Sequence, residues 1–146
     1  NRRKSYHRFL RGGCQGIAAV YQGEWAAVGW YTVPGATTGP PHVPARFYEG
    51  RYWLFYEHTA PAHRRRGLQK FLVAEGLKQI RDKDPDPCIF TDVRAENTPS
   101  QRTQIACGFI PEGKMRFHTL DIPKLKTRNW ITWFKNKRLP RQRVEG

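Results

Sequence analysis

Residues 51–81 change their hydrophobic pattern once, and this change limits the folds that the chain can adopt. "RYWLFYEHT" (Arg51–Thr59) is aromatic-rich with apolar residues on both faces, which favours a strand inside a sheet. Pro61 ends that strand, and between Gly67 and Arg81 the apolar residues fall on one half of a helical wheel. The stretch therefore predicts a strand, a turn and an amphipathic helix that packs on the sheet.

The turn itself is basic and contains a glycine. Arg64, Arg65 and Arg66 precede Gly67, at the point where the predicted helix begins. The first backbone N–H groups of a helix have no intrahelical partner, and together with the helix dipole they attract anions such as phosphates. A run of arginines before a helix is, however, more often a solvated surface, so this turn alone does not decide between the two readings.

The remaining elements predict an α+β fold, a mixed sheet with helices on its faces. Gly and Pro residues mark the turns, and no internal repeat is present. The expected order is a helix at 2–10, strands Gly16–Tyr21 and Trp25–Val33, a loop at Pro34–Ala45, the strand and helix above, a strand Cys88–Val93, a short helix from Pro99, and closing strands at 114–122 and 129–135.

Composition limits the class of protein. The 146 residues suffice for one domain, and the formal net charge of +14 would attract anions of any kind. No apolar stretch approaches the roughly 20 residues that a membrane-spanning helix needs. Three scattered cysteines predict reduced thiols and a cytoplasmic location. The missing initiator Met indicates a fragment, and the basic segment 138–146 is expected to be a mobile tail after a domain at 1–137.

Two ordered motifs resemble the GNAT (Gcn5-related N-acetyltransferase) superfamily, and the resemblance covers most of the chain. The first is "TAPAHRRRGLQ" (Thr59–Gln69), which is similar to the family's acetyl-CoA loop between a strand and a long helix. The second is "DVRAENTPSQRTQIACGF" (Asp92–Phe109), a strand end followed by Asn, a helix and Gly-Phe. Two such motifs in order are more specific than either one alone.

The resemblance implies a sheet that is splayed between the strands at 51–59 and 88–93, with acetyl-CoA bound there as the acyl donor. It implies that the pantetheine arm pairs with backbone around His58–Ala60 and that amides of Arg65–Lys70 hold the diphosphate. Arg64, Arg65 and Arg102 are candidates for the 3′-phosphate. The full set of implied cofactor-binding residues is His58, Thr59, Ala60, Arg64, Arg65, Arg66, Gly67, Leu68, Gln69, Lys70, Asn97, Ser100 and Arg102.

The chain departs from the family pattern at three places. Gln69 replaces a small residue of the loop, so its side chain is expected to point away from the diphosphate. Gln104 stands where the family usually has a Tyr that protonates the departing thiolate, and an amide cannot supply a proton at neutral pH. The family's first strand and helix, which often shape the acceptor site, have no clear counterpart before residues 2–10.

Glu57 is the candidate general base. Strand alternation places it on one face with Trp53, Phe55 and Thr59, and a carboxylate among aromatic rings has a raised pKa. A base with such a pKa would take the proton that an attacking amine must lose. A structural ion pair between Glu57 and an arginine is an equally good interpretation.

The leading hypothesis is therefore an acetyl-CoA-dependent N-acetyltransferase acting on a primary amine, with no metal. The alternatives are a CoA-binding domain that lost its acid, an acyl group other than acetyl, and a basic nucleic-acid-binding module. The last explains the charge, but no nucleic-acid signature accompanies it. Trp130, Trp133 and Phe134 could touch an acidic membrane, although burial in a closing strand is the preferred interpretation.

Overall fold

The computed structural model describes residues 2–120 and 128–136. The chain divides into two compact units, Asn1–Phe109 and Ile110–Gly146, which are described separately. The helices of the first unit are α1 Arg2–Arg11, α2 Ala45–Tyr48, α3 Leu68–Lys83 and α4 Thr98–Ala106, and its strands are β1 Gln15–Tyr21, β2 Glu24–Thr32, β3 Tyr52–Thr59 and β4 Ile89–Thr91.

The four strands form a mixed sheet in the order β1-β2-β3-β4. The first three strands are antiparallel, and β4 runs parallel to β3 after the α3 crossover. This arrangement confirms the predicted fold class. The predicted loop at Pro34–Ala45 ends one residue early, because Ala45 begins α2 directly after Pro44, whose fixed φ suits a helix start.

Helix α3 covers one face of the sheet. Its apolar stripe, including Leu72, Val73 and Ile80, is buried against Ile17 and Leu54 from β1 and β3. Burying side chains of this size contributes about 1.5–3 kcal/mol each. The amphipathic pattern thus fixes α3 on the sheet, and with it the position of the basic turn that precedes α3.

Helix α1 covers the opposite face through one aromatic anchor. Phe9 is completely buried, and its ring lies 5.3 Å from that of Trp30, 5.0 Å from Phe55 and 5.5 Å from Tyr56. Tyr6, one helical turn earlier, meets the Tyr56 ring edge-on at 6.0 Å. The helix therefore lies against the middle of β3.

The second unit contains an antiparallel hairpin, β5 Gly113–Leu120 and β6 Arg128–Lys135. The predicted burial of its aromatic residues is wrong, since Trp130, Trp133 and Phe134 are 49%, 37% and 50% exposed. These strands pair with each other as a two-stranded sheet, in which each strand is an edge strand. The predicted tail at 138–146 and the end of the strand at 121–122 lie outside the described residues.

No helix in the described ranges combines the length and the hydropathy that crossing a bilayer requires.

Removing the Phe9 ring should destabilise the protein far more than truncating its neighbour. Phe9→Ala leaves a cavity beneath three rings, and we expect a loss of about 3–5 kcal/mol in the free energy of unfolding. Leu10→Ala is the matched control, because Leu10 is 60% exposed and its loss should cost little. Urea denaturation of both variants checks this, and equal losses would contradict the packing of α1.

Candidate functional site

A β-bulge in β3 determines where its side chains point. Val28 of β2 pairs with His58 and Trp30 pairs with Phe55, so Tyr56 and Glu57 together oppose the single residue Gly29. Tyr56 takes up the extra residue in a left-handed conformation with φ 57°. Strand alternation is therefore shifted by one residue beyond this point.

The bulge overturns the predicted placement of Glu57 on the face of Trp53 and Phe55. Glu57 Cγ lies 3.5 Å from the position that a Cβ on Gly29 would occupy, and Leu72 of α3 lies 3.7 Å from the same position. Glu57 is thus on the α3 side of the sheet. The simple alternation failed because one inserted residue moves every later side chain to the other face.

The sheet opens between β3 and β4, as predicted. The two strands pair only at Tyr52–Leu54 with Ile89–Thr91, whereas β3 continues to Thr59. On the other edge of β3, pairing with β2 persists as far as Ala60, whose N–H donates to Ala26 O at 2.9 Å. The stretch His58–Ala60 thus borders β2 on one side and the opening on the other.

The turn before α3 presents unpaired donors at a left-handed glycine. Gly67 caps the helix with φ 73° and without a side-chain cap, and Arg65 is also left-handed with φ 62°. Phe71 N–H donates to Gly67 O at 3.0 Å, so the N–H groups of Leu68–Lys70 precede the internal bonds of the helix. Successive backbone N–H groups in a turn of this kind can form an anion-binding concavity.

The basic side chains of this turn are not neutralised by carboxylates. Arg64, Arg65 and Arg66 are exposed, and neither ion pair found among the described residues involves them. The Arg66 guanidinium lies 5.0 Å over the Tyr21 ring, which directs it toward β1. The positive charge therefore adds to that of the helix terminus.

One hydrogen bond between side chains joins the second motif to the first motif. Gln69 Nε2 donates to Ser100 Oγ at 2.6 Å, and Asn97 Oδ1 accepts from Ser100 N–H at 3.2 Å as the cap of α4. Gln69 thus uses its amide to join the starts of α3 and α4. Arg102, on α4, is exposed.

Glu57, which is half-buried with its Oε1 atom inaccessible to solvent, lies beside the buried Gln104. Gln104 is 3% exposed, and neither its amide atoms nor Glu57 Oε1 have a hydrogen-bond partner among the described residues. The pKa of Glu57 is raised to about 7 because burial of its carboxyl group outweighs a backbone hydrogen bond that lowers the pKa. The negative charge of Asp92 raises this pKa by a smaller amount, and the nearby Gln104 lowers it. Buried atoms without partners are costly, so these two side chains are suited to receive a polar ligand or water.

The structure separates His58 from Glu57. His58 pairs with Val28 on the face opposite to α3, and its Nε2 is buried without a partner in the described part of the chain. Burial, followed by the charges of Arg2 and Arg64, lowers the pKa of its imidazole. The ring is therefore neutral near pH 7.

Sequence reasoning missed Asp92 and the proximity of Gln104 to Glu57. Asp92 Oδ1 accepts a 2.7 Å hydrogen bond from the Trp53 indole N–H, which fixes it at the end of β4. A lone Asp after a short strand carries no signal of this contact. No group of three or more His, Cys, Asp or Glu side chains among the described residues is arranged to hold a metal ion.

Solved structures show which fold this arrangement belongs to. An aminoglycoside antibiotic 6'-N-acetyltransferase from Acinetobacter haemolyticus, without ligand, aligns with a TM-score of 0.57 at 14% identity, covering 83% of this chain and 79% of the other. A ribosomal-protein-alanine N-acetyltransferase from Brucella melitensis aligns with a TM-score of 0.56 at 19% identity, covering 82% and 65%. An aminoglycoside N-acetyltransferase in complex with CoA aligns with 0.53 at 20%, covering 74% and 79%.

The chain therefore has the GNAT acyl-CoA N-acyltransferase fold. No protein-family model matches the sequence, and no curated protein matches it significantly.

The raised pKa of Glu57 should make stability fall as the pH rises. Between its ordinary pKa of 4.5 and about 7, the folded state holds a proton that the unfolded state has released. The free energy of unfolding therefore falls by up to about 3 kcal/mol across this pH range. Glu57→Gln should lose this contribution, so its stability relative to wild type should rise between pH 5 and pH 8. Urea titrations at both pH values measure it, and a constant difference would contradict the burial of Glu57.

Proposed function

We propose that the chain is an acetyl-CoA-dependent N-acetyltransferase that acts on a primary amine. The observation that carries this proposal is the left-handed Gly67 turn at the start of α3, with its unpaired amides and unneutralised arginines. Such a turn is suited to a diphosphate. The opening between β3 and β4 lies along the second half of β3, which precedes this turn in the chain. The CoA complex among the similar folds supports the choice of donor.

In this proposal the turn would bind the diphosphate of the acyl donor, and the opening would bind its pantetheine arm. Backbone amides from Arg65 to Lys70 would hold the diphosphate, with Arg64 and Arg102 near the 3′-phosphate, and His58–Ala60 would line the pantetheine. Asn97 and Ser100 hold α4 against Gln69 and so fix one wall. Acetyl-CoA would supply the acyl group as a thioester.

Glu57 would act on the acceptor. A neutral amine nitrogen attacks the thioester carbonyl carbon, and the Glu57 carboxylate accepts the proton that the amine releases. With a pKa of about 7, about half of the Glu57 side chains are ionised at neutral pH. The C–S bond then breaks, and the thiolate leaves with Gln104 able to donate a hydrogen bond but no proton.

A second candidate function keeps the fold and the ligand without the reaction. Gln104 provides no acid, and this observation favours a domain that binds CoA without transferring an acyl group. The acetylation of a panel of amines, amino sugars and peptides, followed by thiol release, separates the two. Calorimetric CoA binding without release on any acceptor would favour the binding domain.

Gly67→Asp should abolish CoA binding while leaving the fold intact. A carboxylate at this turn would stand about 4 Å from phosphate, which costs roughly 4 kcal/mol at an effective dielectric of 20, or about a thousandfold in binding. No atom lies within 4 Å of the added Cβ, and the strain of a side chain at φ 73° should lower the stability of the unliganded variant by about 1–2 kcal/mol without unfolding it. The rise in melting temperature that CoA induces should disappear.

Gly67→Asn is the matched control for this experiment. Asn and Asp both tolerate the left-handed φ of 73° better than other side chains, so both variants should have similar stability without ligand. Only Asp adds a charge. If CoA stabilises a folded Gly67→Asp protein as much as wild type, the diphosphate does not bind at this turn.

Glu57→Gln should lower turnover about 10²–10⁴-fold with little change in the acetyl-CoA KM. The substitution keeps the shape of the side chain and removes its basicity. In wild type the rate should rise with pH through about 7, as Glu57 loses its proton, and the variant should lack this acidic limb. Stopped assays from pH 5 to pH 9 measure both profiles, and an unchanged limb would assign Glu57 a structural role.

A further inference from the structure

A basic groove lies on α1, apart from the site described above. Its volume is about 700 Å³, and it is lined by Lys4, His7, Arg8, Arg11, Gly12, Thr37 and Thr38. The groove is formed by two segments of chain, α1 and the loop after β2, which Thr37 N–H joins by donating to Gly12 O at 2.8 Å.

The charged side chains that line this groove are all basic. Lys4, Arg8 and Arg11 recur on one side of α1 at helical spacing, and α1 contains no acidic residue. All three are exposed, and neither ion pair found in the described ranges involves them. Three cations held together without a counter-charge repel each other, so an anion in the groove would be stabilised by all of them.

The shape of the groove favours an extended ligand. From Lys4 to Arg11 the helix rises by about 10 Å. An extended peptide covers this distance with about three residues. The hydroxyl groups of Thr37 and Thr38 add donors on the opposite wall.

The residues that line the groove argue against two other anionic ligands, single-stranded nucleic acid and an acidic lipid surface. Apart from the imidazole of His7, the lining contains no aromatic ring on which bases could stack, as single-stranded nucleic acids require. It also contains no large apolar side chain that would enter a lipid surface.

We propose that this groove binds a short run of Asp or Glu residues in a peptide acceptor. The part of the proposal that concerns acceptors rests on the proposed function. On its inner side α1 contacts Tyr56 at the β-bulge through Tyr6 and Phe9, so the groove lies on the α1 side of β3, whereas Glu57 lies on the α3 side. An acceptor held in the groove would reach Glu57 through the opening between β3 and β4. An acidic segment bound on α1 would hold its own chain near β3.

Fluorescence anisotropy with a labelled peptide of glutamates behind a free N-terminal alanine tests the binding. Replacing Lys4, Arg8 and Arg11 by Glu should weaken binding about ten- to hundredfold, since exposed pairs contribute up to about 1 kcal/mol each. The matched control replaces Lys78, Arg81 and Lys83, which are exposed near the end of α3, by Glu. Both triple variants lower the net charge from +14 by six units, to +8.

The comparison separates the groove from the overall charge. Retained binding in the α3 variant and loss in the α1 variant support the groove, whereas equal losses overturn it. A neutral α1 variant with Gln at the three positions keeps the helix propensity and should show an intermediate loss of binding. It serves as a control for the case in which the Glu variant fails to bind because it misfolds. Tighter binding of an oligothymidylate than of the acidic peptide, lost with the same variant, would also overturn the proposal.

The acceptor assay distinguishes failure of this proposal from failure of the proposed function. We expect kcat/KM for the glutamate peptide to exceed that for the same peptide with glutamines about tenfold in wild type, and to match it in the α1 variant. The acetylation of both peptides at equal rates by wild type overturns the acidic preference while supporting the transferase. If neither peptide nor any amine is acetylated, the proposed function fails, and the anisotropy result still decides the groove.

Discussion

One inserted residue in β3 sets the geometry on which the candidate site depends. Tyr56 adopts a left-handed conformation, so that two residues of β3 face Gly29 alone. This turns Glu57 toward α3 and Gln104 and leaves His58 on the face of α1. A left-handed φ costs a residue such as tyrosine of order 1–3 kcal/mol, and the packing of its ring against Phe9 and Tyr6 offsets part of that cost.

The same strand links the packing of both helices to the chemistry. Its first half pairs with β4 and packs on α3 through Leu54, and its second half diverges from β4. The divergence exposes backbone next to the Gly67 turn, where α3 begins. Because α3 is fixed by its buried stripe, the unpaired amides at its start are held in position before any ligand arrives.

Charge is distributed over distinct parts of the first unit. One set of cations precedes α3, at Arg64–Arg66, and another lines the outer side of α1. The surroundings of Glu57 and Gln104, in contrast, contain no cation that neutralises the carboxyl group, and burial raises its pKa to about 7. The equal alternative from the sequence, a structural ion pair of Glu57 with an arginine, is not formed among the described residues.

The sequence by itself determined the local elements and the basic turn, because hydrophobic period, Pro61 and Gly67 act over a few residues. The strands and helices of the first unit were predicted to within about two residues, except for α2, which was not predicted. Only the tertiary structure decided the face of Glu57, its contact with Gln104, the bond from Gln69 to Ser100 and the groove on α1. These features depend on strand register and on residues far apart in the chain, and a bulge leaves no periodic signal that a sequence pattern could reveal.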